Sequence, residues 1–272
     1  MIVFYHLLNA IWSSGRNFVL SKFNIMNYEG TKANSSLQGK KIVLLGGTSG
    51  FGLATALAAA GEGEIIVISS RQQKVDEALA ALPAGSKGYA VNLADEQEIA
   101  QLFDQAGEFD HLVFTAGETL KLNELASVKM DEARQFFNVR YWGALMAAKY
   151  GSPYIRKGGS ITLTNGTIGL RPWKGWTVAA SITGAIEALT RALAVEIAPI
   201  RVNAVCAGMV RTELWSNIPE DGREAMFSDV GSKLLTGRVG EATDIAEAFL
   251  YLMKGNFSTG QIIVVDGGGV LV

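Results

Sequence analysis

The stretch Lys41-Ile42-Val43-Leu44-Leu45-Gly46-Gly47-Thr48-Ser49-Gly50-Phe51-Gly52 decides the fold. Lys41 to Leu45 reads as a short buried strand, and Phe51 to Ala60 beyond it carries helical spacing. The turn between them is built of glycine and small polar residues. At such a junction the first N–H groups of the helix are free and its dipole favours an anion, so the passage suits a pyrophosphate. A tight turn with no ligand is the plain alternative. The placement between strand and helix favours the phosphate, which makes Gly46, Thr48, Ser49, Gly50, Phe51 and Gly52 candidate cofactor-binding residues.

Outward from this unit the same alternation repeats. Glu64 to Ser69, Gly88 to Val91, His111 to Thr115, Ser160 to Thr164, Arg201 to Val205 and Gln261 to Asp266 are further β-rich runs. Helical patterns lie between them at Gln73 to Leu82, Asp95 to Ala106, Ser127 to Lys149, Thr177 to Ile197 and Ala242 to Met253. This alternation implies right-handed crossovers and an α/β fold of Rossmann type. The expected architecture is a doubly wound parallel sheet in a single domain, with ligands at the carboxyl ends of the strands.

Composition narrows the function classes. With 24 Lys and Arg against 26 Asp and Glu in 272 residues, a net charge of −2 supplies no basic field for a nucleic-acid backbone. Cys206 is the single cysteine and cannot form an internal disulfide; His6 and His111 are too isolated to make a zinc set, so no metal is expected. No G-x-S-x-G occurs, which removes a hydrolase-type serine. Residues 1–38 read as a poorly ordered extension ahead of a domain spanning 39–272. Its apolar opening, Met1 to Trp12, is too short to span a bilayer and lacks the basic lead of a secretory signal, while a start at Met26 would leave a normal short lead. A cytoplasmic location without a membrane partner is expected.

From Gly39 to Val272 the chain resembles the short-chain dehydrogenase/reductase family. Leu45 to Gly52 follows that family's T-G-x-x-x-G-x-G pattern with Leu45 in place of threonine, and Ala116-Gly117 resembles the end of its N-N-A-G motif. Arg201 to Gly208 with Thr212 is similar to the segment that closes over the nicotinamide, with Ala207 replacing proline. Thr259-Gly260-Gln261 and Asp266-Gly267-Gly268 are similar to the family's final strand. The resemblance implies a nicotinamide dinucleotide held also by Ala116, Gly117, Val210 and Thr212, with Asn92 and Leu93 beside the adenine. It further implies a homodimer or homotetramer formed through the two long helices.

The second strand ends in Ser69-Ser70-Arg71. An Asp or Glu there would accept hydrogen bonds from the adenosine ribose and repel a 2′-phosphate. Arg71 can instead form charge-assisted hydrogen bonds to that phosphate and stack on adenine, which selects NADP over NAD. A solvated arginine at a helix start is the alternative.

The resemblance fails where the family keeps its chemistry. Family members use a tyrosine as proton donor and a lysine four residues later on one helix face. Matching Thr183 to Arg191 with the family's K-A-A-x-x-x-L-T-R places Ala179 at the tyrosine and Thr183 at the lysine, and neither can do that work. Gly166 falls at the family's serine and Arg140 at its asparagine; a one-residue slip would bring Asn165 or Thr167 to the serine position. Arg140 stays charged at neutral pH and can hold an anion or polarise a carbonyl. With Trp173 and Trp176, in the loop before the changed helix, it forms the candidate catalytic set. A structural ion pair and ordinary aromatic packing are the respective alternatives. Glu118 reads first as a loop charge and second as a pocket carboxylate, and Glu213 to Arg238 as a substrate lid.

Three classes of function fit these residues. One is an NADP-dependent reductase of an imine, iminium or activated double bond; delivery of hydride to an iminium carbon needs no protein acid. Another is a non-redox cyclase or isomerase that keeps the nucleotide pocket, and the third is a catalytically silent nucleotide-binding protein. The chain is similar to a divergent group within the family that includes fungal NADPH-dependent enzymes which reduce an imine and guide a Diels–Alder cyclisation in indole alkaloid pathways. That likeness rests on the arginine-for-asparagine change and the missing tyrosine. It implies a small-molecule substrate from secondary metabolism.

Overall fold

Residues 36–120 and 122–272 are described by a computed structural model of the chain. The extension expected at 1–38 lies outside them except for Ser36 to Gln38. Leu37 is buried in the core and its N–H donates to Glu62 Oε2 at 2.7 Å, so packed structure begins inside the segment that the sequence reading assigns to the extension.

Among the described residues, β1 (Lys41–Leu45), β2 (Glu64–Ser69), β3 (Lys87–Ala90), β4 (Phe109–Phe114), β5 (Ile155–Gly166), β6 (Arg201–Ala207) and β9 (Ile262–Val265) form a parallel sheet. Its order is β3-β2-β1-β4-β5-β6-β9, while β7 (Val210–Arg211) and β8 (Gly240–Glu241) pair separately. The helices are α1 (Gly50–Ala59), α2 (Gln72–Ala81), α3 (Glu96–Ala106), α4 (Met130–Phe137), α5 (Ala144–Gly151), α6 (Thr177–Glu196), α7 (Glu220–Lys233) and α8 (Ala242–Lys254). The strand order reverses direction at β1 and β4, where a doubly wound sheet opens its ligand crevice.

Strand alternation divides the apolar residues between two layers. Val43, Leu45, Leu112, Phe114, Ile161 and Leu163 pack with Ile99 and Phe103 of α3 and with Ile182 and Ile186 of α6. The intervening Ile42, Leu44, Val113 and Val205 pack with Ala56 and Ala59 of α1 and with Ile245, Phe249 and Leu252 of α8. α6 is apolar and long enough to cross a bilayer by composition alone, but its Ile182, Ile186, Leu189 and Leu193 belong to the first of these cores.

The structure corrects the sequence reading in three places. The helix expected over Ser127 to Lys149 is broken: a 3-10 turn at Leu125–Ser127 precedes α4, and a π-helical turn at Asn138–Gly143 separates α4 from α5. β5 begins at Ile155 rather than Ser160, because Ile155 pairs with Phe109 ahead of a register irregularity. Within the expected lid, α7 is regular helix whose only buried residues are Phe227 and Gly231, so no apolar stripe marks it in the sequence.

Candidate active site and dinucleotide cleft

The glycine turn after β1 forms the floor of an open cleft of about 480 Å³. Gly46 has φ +89°, and a Cβ built on it would lie 2.5 Å from Ala116 N, so only glycine lets the β1 and β4 turns meet there. Ser49 is extended and its side chain makes no capping bond, which leaves the first N–H groups of α1 to the cleft. An uncapped helix end beside closely packed backbone fits a pyrophosphate.

Most of the cofactor-binding candidates come together here. Gly46, Thr48, Ser49, Gly50, Phe51, Arg71, Asn92, Leu93, Ala116, Gly117 and Thr212 all line the cleft. Arg71 stands at the N-cap of α2, exposed; its carbonyl accepts from Lys74 N and Val75 N, while its side chain has no hydrogen bond or ion pair among the described residues. Asn92 is partly committed: its Oδ1 accepts from Ala94 N at 3.1 Å and its own N–H donates to Glu98 Oε2 at 2.7 Å. Two candidates do not line the cleft. Gly52 packs so closely under the turn that a Cβ there would lie 2.2 Å from Gly46 O. Val210 is buried in β7, and its carbonyl accepts the Trp215 indole N–H at 3.1 Å. The sequence reading missed Ser70 and Lys74, which flank Arg71 in the cleft wall; a basic residue three positions after Arg71 is the signal that could have found the lysine.

A second cavity of about 240 Å³ adjoins the cleft and shares Phe51, Thr115, Ala116, Arg140, Thr164 and Leu214 with it. Trp173 and Trp176 meet edge to face at 5.7 Å, and Trp176 lies 6.3 Å from Trp215. All three line the cavity with Phe136, Ile182 and Ile186. Ala179, Thr183 and Gly166, the positions that the family resemblance matches to a tyrosine, a lysine and a serine, line it as well. The Thr183 hydroxyl donates to Ala180 O at 2.8 Å within its own helix. Among the described residues no tyrosine, lysine, histidine or cysteine lines this cavity. Asp266 accepts from Gly268 N and Val270 N, and Arg171 donates to Gly269 O, so both are engaged with the C-terminal turn.

Arg140 lies on the π-helical turn, its Cζ 4.9 Å from the Phe136 ring centroid. Its Nη2 donates to the Glu118 carbonyl and its Nε is 3.8 Å from Glu118 Oε2. The other carboxylate oxygen of Glu118 accepts the Val139 N–H at 3.3 Å, a backbone group that the widened turn presents to it. Glu118 is therefore more than a loop charge, because it fixes both the turn and the arginine. Burial lowers the Arg140 pKa from its ordinary value and the Glu118 carboxylate opposes that shift; a guanidinium remains charged under these conditions. The ion pair and the cavity position coexist in one residue.

Asn165, near the end of β5, is 7% exposed and lines the cavity, and neither Nδ2 nor Oδ1 has a hydrogen-bond partner among the described residues. Leaving a buried polar group unpaired costs about 1–3 kcal/mol.

A parallel sheet with a glycine-turn cleft and an apolar cavity beside it defines a dinucleotide-binding Rossmann protein with a separate small-molecule site. The chain belongs to the short-chain dehydrogenase/reductase family: the model of the SDR-like Rossmann domain matches residues 33–272. It is 35% identical to short-chain dehydrogenase/reductase ucsE of Acremonium sp over 89% of this chain and 99% of that one. A crystal structure of a small-chain dehydrogenase in complex with NADPH superposes with a TM-score of 0.74 at 35% identity, covering 86% of this chain and 100% of that one. The MalC reductase/Diels-Alderase of Malbranchea aurantiaca superposes with a TM-score of 0.82 at 30% identity, covering 89% and 100%.

Proposed function

We propose that the protein is an NADP(H)-dependent reductase with a non-standard active site, reducing an imine, iminium or activated double bond in a small flat molecule of secondary metabolism. The observation that carries this reading is the cavity wall, where Ala179 and Thr183 stand and no phenol or ammonium group is found among the described residues. Ketone reduction creates an alkoxide that must be protonated, whereas an iminium carbon accepts hydride to give a neutral amine with no proton required. When bound, the cofactor supplies that hydride.

The chain's own residues then bind and orient. The uncapped α1 end takes the pyrophosphate, and Arg71 with Lys74 takes the 2′-phosphate. That the similar dehydrogenase structure holds NADPH supports the phosphorylated cofactor. The aromatic faces of Trp173, Trp176 and Trp215 suit a flat cation. Arg140 and Glu118 balance each other's charge, so the pair orients a polar substrate group without repelling an iminium. Exposed apolar residues Met130 and Trp142 on the long helical segment support a homodimer or homotetramer, and the reading places the enzyme in the cytoplasm.

A second reading, a cyclase or isomerase that only retains the nucleotide, is favoured by the likeness to a protein described as both reductase and Diels-Alderase. Measuring NADPH consumed per product formed separates the two. One equivalent per product supports the reductase; product without consumption supports the cyclase, and binding of NADPH with neither outcome points to a silent nucleotide-binding protein.

A further inference from the structure

We infer that Asn165 is a substrate-anchoring residue whose carboxamide pairs with a carboxamide or lactam edge of the substrate, one acceptor and one donor side by side. The inference rests on the reading of the tryptophan-lined cavity as the substrate site.

The backbone around Asn165 is fixed, since it pairs with Cys206 of β6 inside the parallel sheet. Its side chain is more than nine-tenths buried and unpartnered at both ends. Two of the hydroxyls near it are committed elsewhere: Thr164 Oγ1 donates to Phe114 O at 2.8 Å and Thr183 Oγ1 to Ala180 O at 2.8 Å. Buried amides in folded proteins are almost always hydrogen-bonded, so one left open on a cavity wall is matched by what fills the cavity. A carboxamide offers an acceptor oxygen and two N–H donors in one plane. A neutral amide edge satisfies both kinds of atom at once. A ketone answers only the donors, and a carboxylate would be repelled by Oδ1 and drawn to Arg140. A site built to hydrogen-bond a donor rejects the analogue that lacks it far more strongly than an apolar pocket rejects a missing methylene.

Three benzo-fused probes of one shape test this: 2-oxindole, with lactam donor and acceptor; 2-indanone, with the acceptor alone; and indane, with neither. Each is titrated by ligand-observed NMR into the full chain saturated with NADP+, and the affinity for NADP+ is measured in parallel. Wild-type protein is expected to bind 2-oxindole at least tenfold more tightly than 2-indanone. Asn165→Leu should reduce that ratio to within twofold while leaving the affinities for indane and NADP+ unchanged. Asn165→Asp, which keeps an acceptor oxygen but loses the N–H donors, should bind 2-indanone more weakly than the wild type and still prefer 2-oxindole. Equal binding of 2-oxindole and 2-indanone by the wild type overturns the inference without any variant, as does a preference that survives Asn165→Leu. If indane binds in the cavity and the lactam preference is absent, only the role of Asn165 falls. If none of the three binds, the substrate-cavity reading falls and takes the anchor with it.

Discussion

The guanidinium of Arg140 fills the space in which a side chain at Gly117 would begin: a Cβ there would lie 2.6 Å from Arg140 Cζ and 2.6 Å from Nη1. The glycine after β4 thus makes room for the guanidinium of Arg140. Removing a preorganised donor of this kind lowers turnover by about 10²-fold or more, so Arg140→Ala should do that while NADPH affinity changes little. Arg140→Lys should rescue poorly, since an ammonium does not reproduce the planar fork. Gly117→Ala should imitate the loss by displacing the arginine, and the double variant should be no worse than Arg140→Ala alone. A lower melting temperature with turnover per folded molecule unchanged would make Arg140 structural.

Arg71 is expected to set cofactor preference. A charge-assisted hydrogen bond contributes about 1.5–3 kcal/mol, so Arg71→Ala should weaken NADPH binding roughly tenfold to hundredfold and leave NADH binding unchanged. Fluorescence titration of both nucleotides reads this directly. Lys74→Ala should produce a smaller loss in the same direction, because Lys74 also pairs with Glu77 at 2.9 Å. Equal affinities for the two nucleotides in the wild type would remove the assignment.

Stability should begin to fall on acidification above the pH range in which carboxylates are neutralised. His111 is buried in β4 with Nδ1 2.9 Å from Ser160 Oγ, and burial lowers its pKa from 6.5 to about 4. The folded protein keeps this ring neutral while the unfolded chain takes up a proton below pH 6.5. Its contribution is therefore complete above pH 6.5 and is lost as the pH falls to about 4, a total of ~3 kcal/mol. Asp110 acts lower still: burial pushes its carboxyl up, but the Lys41 N–H, Lys40 and Arg156 outweigh that and hold it below 3.8. Denaturant unfolding between pH 7 and pH 4 should show the first loss, and His111→Gln should flatten it. An unchanged slope in the variant would assign the loss to other groups.

What could be read in the sequence followed from regular periods. β1 and α1 were legible because a buried parallel strand and a glycine turn each leave a local signature, and the same signature gave Arg71 its place at the end of β2. The break between α4 and α5 was not legible. It depends on Glu118, distant in sequence, accepting the Val139 N–H and pairing with Arg140. The same reason hid Asn165: no spacing rule shows that its amide is buried on a cavity wall with neither end hydrogen-bonded. Val210 was named by similarity alone, and no spacing in the sequence shows that its carbonyl accepts the indole N–H of Trp215.

We propose that this site reduces carbon without a protein proton donor at Ala179, the position to which the family resemblance assigns a tyrosine. The direct measurement compares NADPH oxidation on two substrates of matched ring system, 1-tetralone and the 2-methyl-3,4-dihydroisoquinolinium ion, under identical conditions. A positioned general acid contributes about 10²–10⁴-fold, so the iminium should turn over at least about 10²-fold faster than the ketone. Brisk reduction of 1-tetralone, at a rate equal to that of the iminium, would contradict the account.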